Sequence, residues 1–254
     1  MNDIFTHKAF IPFITCGYPN LDISEEIIYT LAENGADLIE LGIPFSDPVA
    51  EGAVIQKASE EALKNGVSTD AIFDMVTRVR RKCNVPLAFM TYANVVFSYG
   101  SKKFMQKANA LGIQALLLPD VPFEEKQEFE GVCDEFGINL ISFVAPTSAK
   151  RLTQIIQEAK GFVYCVSSYG VTGVRENISN DVKAMVDSIK SIRDIPVAVG
   201  FGISTPEQVK TISRYADGVV IGSAIVKLCT QYGKDAPKHI GAYAKSIKQA
   251  MQEA

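Results

Sequence analysis

The chain has 254 residues and a formal net charge of −4 at pH 7, with 47% hydrophobic and 21% charged residues. This balance is ordinary for a globular protein with a sizeable core, and the lack of a basic stripe argues against a nucleic-acid partner. We expect neither a signal peptide nor a membrane span, since no apolar run reaches the roughly 20 residues that a span needs.

Cysteine and histidine usage points to a reducing compartment and away from metal. The chain has 5 cysteines and 2 histidines, and no two cysteines form a CxxC pair. We therefore expect free thiols and a cytoplasmic location. The absence of an HExxH motif or a Cys/His cluster argues against a metal site.

A helix-like stretch that ends near a glycine and precedes a short apolar strand recurs along the chain. Glycine is the usual residue just past a helix end, because it adopts a left-handed conformation without strain. Continuous apolar character is typical of parallel strands covered on both faces. In chain order, the predicted strands are 9–15, 36–41, 86–90, 115–118, 139–144, 162–166, 196–200 and 218–221.

Eight strand–helix units in a chain of this length predict an α/β fold, a single-domain (β/α)8 TIM barrel over residues 1–254. An open, doubly wound sheet is the alternative. We disfavour it because no strand is followed by GxGxxG and no linker divides the chain.

One carboxylate, Glu40, interrupts the apolar strand predicted at 36–41. Because side chains alternate along a strand, Glu40 lies on the other face from Ile39 and Leu41, and it points into the barrel if those two residues pack on helices. Active sites of TIM barrels lie at the C-terminal strand ends. Burial there would raise the pKa of Glu40 towards neutrality and suit it to proton exchange. A structural glutamate paired with arginine or lysine is the alternative.

The loop after this strand, IPFSDPVAEG, adds the carboxylates Asp47 and Glu51. Taken alone, it is equally typical of a solvated acidic loop. Tyr164, inside the sixth predicted strand, is either a core residue or a polar group that reaches the pocket.

Glycine-bearing segments follow the last three predicted strands: SSYGVTG (167–173), GFGIST (200–205) and IGSAI (221–225). The late loops of TIM barrels often bind phosphate together with the N-terminus of a short helix, and Ser223 lies where such a helix would begin. These segments predict a phosphorylated ligand. No lysine lies in the strands or at their C-terminal ends, which argues against a Schiff-base aldolase.

Eight segments, in order over nearly the whole chain, resemble the tryptophan synthase alpha subunit family. They are IPFITCGYP (11–19), IELGIPFSDP (39–48), MTYANVVFSYG (90–100), LLLPDVP (116–122), VAPTS (144–148), YCVSSYGVTG (164–173), VAVGFGIST (197–205) and ADGVVIGSAIVK (216–227).

The resemblance implies a (β/α)8 barrel that cleaves indole-3-glycerol phosphate to indole and glyceraldehyde 3-phosphate, a retro-aldol lyase reaction of tryptophan biosynthesis. It implies that Glu40 protonates the indole ring and accepts the glycerol hydroxyl proton. Glu51 occupies the position of the family's second catalytic carboxylate, an aspartate that accepts a hydrogen bond from the indole N–H. Glutamate is longer by one methylene, and Ala53 replaces a proline two residues later.

The resemblance also assigns the substrate pocket. The residues implied around the indole are Phe13, Tyr92 and Tyr164. Those implied at the phosphate are Gly173, Gly202, Gly222 and Ser223, and Thr172 belongs to the loop that closes over the substrate.

An α2β2 heterotetramer with a beta chain follows from the same resemblance, with the loop of Pro44, Asp47 and Pro48 facing the partner. Pyridoxal phosphate belongs to the beta chain, so we expect no cofactor in this one. The alternatives are a stand-alone lyase that releases indole, another phosphate-binding barrel lyase or isomerase, and a weakly active subunit that mainly activates the beta chain.

Overall fold

Parallel strands form a single sheet in the computed structural model, which describes residues 1–166, 178–200 and 202–254. The sheet order is β5-β4-β3-β2-β1-β9-β8-β7-β6. The strands are β1 (Ala9–Thr15), β2 (Ile39–Gly42), β3 (Leu87–Met90), β4 (Ile113–Leu117), β5 (Asn139–Leu140), β6 (Ser142–Val144), β7 (Val163–Val166), β8 (Val197–Gly200) and β9 (Gly218–Ile221).

The two strands at the ends of this order are consecutive in the chain, and this closes the barrel. β5 pairs with β4 and β6 pairs with β7, and only Ile141 separates β5 from β6. The N–H of Ile141 donates to the carbonyl of Leu116 at 2.9 Å. Residues 139–144 therefore occupy one strand position, and the predicted (β/α)8 TIM barrel is confirmed with a local break in its fifth strand.

Helices connect the strands and pack apolar faces on the barrel. α1, for example, buries Ile27, Ile28 and Leu31. None of the helices in the described ranges is long and apolar enough to cross a membrane. The helices are α1 (Leu21–Glu33), α2 (Ala53–Lys64), α3 (Thr69–Arg80), α4 (Ala93–Tyr99), α5 (Ser101–Ala110), α6 (Gln127–Glu135), α7 (Leu152–Glu158), α8 (Ile178–Ile192), α9 (Pro206–Ser213), α10 (Ser223–Tyr232) and α11 (Ala236–Gln252).

The strand predicted at 36–41 begins later than expected, at Ile39. Asp37 lies just before it, at the N-terminal end of the barrel, and its carboxylate accepts the N–H of Phe10 at 2.7 Å. Lys248 from α11 contacts the same carboxylate at 2.5 Å. These contacts fix the end of the barrel opposite to the C-terminal strand ends, where the candidate site lies.

Candidate active site

Glu40 lies in the middle of β2 and faces the barrel interior. Its neighbours in register are Phe13 on β1 and Ala88 on β3, and its side chain is fully buried. Burial raises the pKa of Tyr164 on β7, and the charge of Glu40 adds to that shift. Since β2 and β7 are separated by three strands of the closed sheet, these two side chains act on each other across the interior.

No basic partner neutralises Glu40 in the described parts of the chain. Neither of its carboxylate oxygens has a hydrogen-bond partner there. Loss of hydration therefore acts unopposed and raises the pKa of Glu40 to about 8. The salt-bridged structural glutamate is excluded within these residues, and the group is mostly a neutral carboxylic acid at neutral pH.

Phe13 packs beside Glu40, in space that two glycines leave open. A Cβ on Gly42, at the end of β2, would lie 2.5 Å from Cζ of Phe13. A Cβ on Gly222, just past β9, would lie 3.2 Å from Cδ1 of the same ring. The ring thus spans from the strand of Glu40 to the start of α10.

Tyr164 is both a core residue and a neighbour of the acid. Its ring lies 5.0 Å from that of Phe143 and is 4% exposed. Gly200, at the end of β8, makes room for it, because a Cβ there would lie 2.7 Å from Cζ of Tyr164. The phenol therefore faces the same interior as Glu40.

A second group of residues centres on the hydroxyl of Tyr92, at the start of α4. This hydroxyl donates to the carboxylate of Glu51 and accepts the N–H groups of Val49 and Ala50, each at 3.0 Å. The ring of Tyr92 stacks on that of Phe45 at 5.0 Å. One tyrosine thus holds the loop after β2 in a defined shape and orients the carboxylate of Glu51.

The environment of Glu51 differs from that of Glu40. Partial burial raises its pKa, while the hydrogen bond from Tyr92 opposes that shift. Because its carboxylate keeps a hydrogen-bond donor, the charged form is better supported at Glu51 than at Glu40. The two carboxyl groups are therefore suited to different work, the first to proton transfer and the second to holding negative charge.

The N-terminus of α10 offers a site for an anion. α10 begins at Ser223, as the sequence predicted, and Gly222 precedes it without a side-chain cap. The first N–H groups of a helix have no intrahelical acceptor and attract negative charge. Gly202, in the loop after the neighbouring β8, is exposed and has φ +77°, a left-handed conformation that favours glycine. The predicted residues Thr172 and Gly173 lie outside the described residues.

Comparison with known proteins identifies the family. The family model of the tryptophan synthase alpha chain matches residues 4–254. The tryptophan synthase alpha chain of Lacticaseibacillus casei is 43% identical over 250 residues, which cover 98% of this chain and 94% of that protein. The chain belongs to the tryptophan synthase alpha chain family.

Solved structures agree with this family. Tryptophan synthase subunit alpha from Campylobacter jejuni superposes with a TM-score of 0.87 at 36% identity, covering 97% of this chain and 98% of that one. A chain from the tryptophan synthase a2b2 complex of Pyrococcus furiosus gives a TM-score of 0.88 at 36% identity, covering 96% and 98%.

The structure adds residues that the sequence did not single out in this member of the tryptophan synthase alpha family. Gly42 and Gly200 shape the barrel interior, because their lack of a side chain leaves room for the rings of Phe13 and Tyr164. The available signal was only a glycine at a strand's C-terminal end, because Phe13 and Tyr164 lie on other strands and far from these glycines in the sequence. The bond between Tyr92 and Glu51 had no local signal, since its partners are 41 positions apart.

Proposed function

We propose that Glu40 is the proton donor and acceptor with which this chain carries out the alpha reaction of tryptophan synthase. That reaction, the cleavage of indole-3-glycerol phosphate to indole and glyceraldehyde 3-phosphate, is the activity of the family to which the chain belongs. The observation that carries the assignment is a fully buried carboxyl with a pKa of about 8 and no partner in the described residues.

The protonation state of Glu40 fits the first step. A carboxyl with a pKa of about 8 is mostly protonated at neutral pH and can donate to C3 of the indole ring. The resulting carboxylate then accepts the proton of the hydroxyl on the adjacent glycerol carbon. The C–C bond breaks, its electron pair restores the aromatic ring, and the aldehyde of glyceraldehyde 3-phosphate forms.

Glu51 stabilises the positive charge that protonation places on the ring. Its carboxylate accepts a hydrogen bond from Tyr92, which supports the charged form and sets its position. We infer that the extra methylene, compared with the family's aspartate, is accommodated by this bond. The indole N–H then donates to a carboxylate that the protein already holds in place.

Aromatic and phosphate contacts define the rest of the proposed pocket. Phe13 and Tyr164 line the interior beside Glu40, and Tyr92 positions the loop of Glu51. We assign the phosphate to the N–H groups at Gly222 and Ser223, where the start of α10 favours an anion, with Gly202 at the adjacent loop. Gly173 and Thr172 complete this proposal from the sequence resemblance alone.

We infer that the partner is a tryptophan synthase beta chain in an α2β2 assembly, and that the pyridoxal phosphate belongs to it. Val49 and Phe97 are 78% and 51% exposed, on segments that follow the neighbouring strands β2 and β3. Both segments leave the C-terminal strand ends of the barrel, and exposed apolar surface there favours a protein partner. A cavity of about 290 Å3, lined by Phe45 and α4 residues including Asn94, lies in the same region.

The location we infer is the cytoplasm, and we propose that residues 1–254 act as one domain. All five cysteines are free, and four of them are buried. Free thiols suit a reducing compartment.

The test is a steady-state assay of indole release by the wild type and Glu40→Gln. Glutamine keeps the shape of the neutral acid but cannot exchange its proton, so turnover should fall by roughly 100-fold or more. Substrate binding should change little, because Phe13 and the start of α10 are untouched. Glu33→Gln, an exposed carboxyl at the end of α1, is the matched control. A Glu40→Gln variant that turns over at the wild-type rate would refute the assignment.

A further inference from the structure

A buried hydroxyl at the C-terminal end of β1 has no role in the site described so far. Thr15 is 3% exposed, and its Oγ1 has no hydrogen-bond partner in the described parts of the chain. Buried side-chain hydroxyls nearly always have a partner in folded proteins. An unpartnered hydroxyl at the C-terminal end of a barrel strand is therefore a candidate to receive its partner from a ligand.

Thr15 lies on the inward face of its strand, one pleat nearer the C-terminal end than Phe13. Side chains two residues apart share a face, and Phe13 contacts the positions of Gly42 and Gly222 in the interior. Thr15 pairs in register with Gly42. Gly42 has no side chain and the ring of Phe13 packs against it, so Thr15 and Phe13 border the same part of the barrel interior.

The position of β1 in the sheet places Thr15 between the two ends of the proposed substrate. β1 pairs with β2, which carries Glu40, and on its other side with β9, which leads into Gly222 and Ser223. The indole ring would lie at Glu40 and the phosphate at the start of α10. The three-carbon chain that joins them must pass over the end of β1.

We propose that Oγ1 of Thr15 hydrogen-bonds a hydroxyl group of the substrate's glycerol chain. This inference rests on the proposed function, because it takes its ligand from there. A threonine hydroxyl can both donate and accept, as can each hydroxyl of glycerol. Thr15 thereby distinguishes a hydroxylated linker between ring and phosphate from a plain alkyl linker.

The test compares two ligands in the Glu40→Gln background, where turnover does not obscure binding. One ligand is indole-3-glycerol phosphate. The other is the analogue whose glycerol chain is replaced by propyl, which keeps the ring and the phosphate but lacks both hydroxyls. Calorimetry measures the dissociation constant of each ligand for the Glu40→Gln protein that retains Thr15 and for the same protein with Thr15→Val or Thr15→Ser.

Thr15→Val should weaken the binding of indole-3-glycerol phosphate by roughly 3- to 10-fold, which is the usual contribution of one neutral hydrogen bond to affinity. The propyl analogue should bind almost equally to both proteins, because it offers no hydroxyl. Thr15→Ser should restore most of the lost affinity. Valine has the shape of threonine, so the thermal midpoint should not fall, and removal of an unpartnered hydroxyl can raise it.

Ser213 supplies a matched control, since it is also buried and its Oγ also lacks a partner in the described residues, but it ends α9. Ser213→Ala should leave both dissociation constants unchanged. Equal weakening of both ligands by Thr15→Val, or no weakening of either, would overturn the role of Thr15. In that case the proposed function stands if the wild type cleaves the substrate. No binding of indole-3-glycerol phosphate together with no cleavage by the wild type would overturn both.

Discussion

Burial of an unpartnered carboxyl must destabilise the folded protein as the pH rises, and Glu40→Gln measures by how much. The pKa of Glu40 is raised from 4.5 to about 8 in the folded state. Each pKa unit corresponds to about 1.4 kcal/mol. Burial of this group therefore lowers the free energy of unfolding by about 3 kcal/mol at pH 7, and by about 5 kcal/mol once the pH exceeds the folded pKa.

The direction of this pH dependence follows from the number of protons that each state binds. Below pH 4.5 the carboxyl is protonated in both the folded and the unfolded state, so its titration does not change the free energy of unfolding. Between pH 4.5 and 8 only the unfolded state releases the proton, which favours unfolding. Glutamine does not titrate. The free energy of unfolding of Glu40→Gln relative to the wild type should thus rise by about 1.4 kcal/mol per pH unit across this window.

Urea denaturation at a series of pH values, followed by circular dichroism, measures this difference. Glu33→Gln replaces an exposed carboxyl and controls for the loss of one acidic group. If the difference between Glu40→Gln and the wild type is constant from pH 4.5 to 8, the carboxyl is not desolvated in the folded state. The proton-donor assignment would then lose its physical basis.

Three further changes probe the rest of the site. Glu51→Asp shortens the side chain that Tyr92 holds, so kcat for indole release should fall by roughly 10- to 100-fold. Gly200→Ala places a methyl group 2.7 Å from Cζ of Tyr164 and should cost about 1–3 kcal/mol of stability in urea denaturation. Val49→Asp puts a charge on the proposed partner surface, and it should weaken beta-chain binding in a titration by about tenfold or more.

Each of these changes has a matched control. Glu51→Gln is the control for Glu51→Asp, because it keeps the length of the side chain but removes its charge. A gain in kcat with Glu51→Asp but not with Glu51→Gln would mean that the native site is impaired. Gly131→Ala, on α6 where an added Cβ meets nothing within 4 Å, should stabilise by about 0.5–1 kcal/mol. Val49→Leu keeps the surface apolar. Equal beta-chain affinity of Val49→Asp and Val49→Leu would place the partner elsewhere.

The barrel could be predicted from the sequence because strands that are buried on both faces are continuous apolar segments. The segments predicted at 9–15 and 218–221 coincide with β1 and β9, in which every residue is buried. Residues 139–144 were predicted as one strand, and the structure interrupts it at Ile141. A break of one residue leaves the apolar pattern unchanged, so only the pairing of β5 and β6 with different neighbours reveals it.

The sequence by itself determined that Glu40 is an acid within an apolar strand, on the face that Ile39 and Leu41 do not share, because alternation depends only on neighbouring residues. It also placed Ser223 at the start of a helix. The tertiary structure alone decided that the described residues supply no partner for Glu40, that Tyr164 faces it, and that Tyr92 holds Glu51. These relations join residues far apart in the chain, and they exist only because closure of the barrel brings the ends of different strands together.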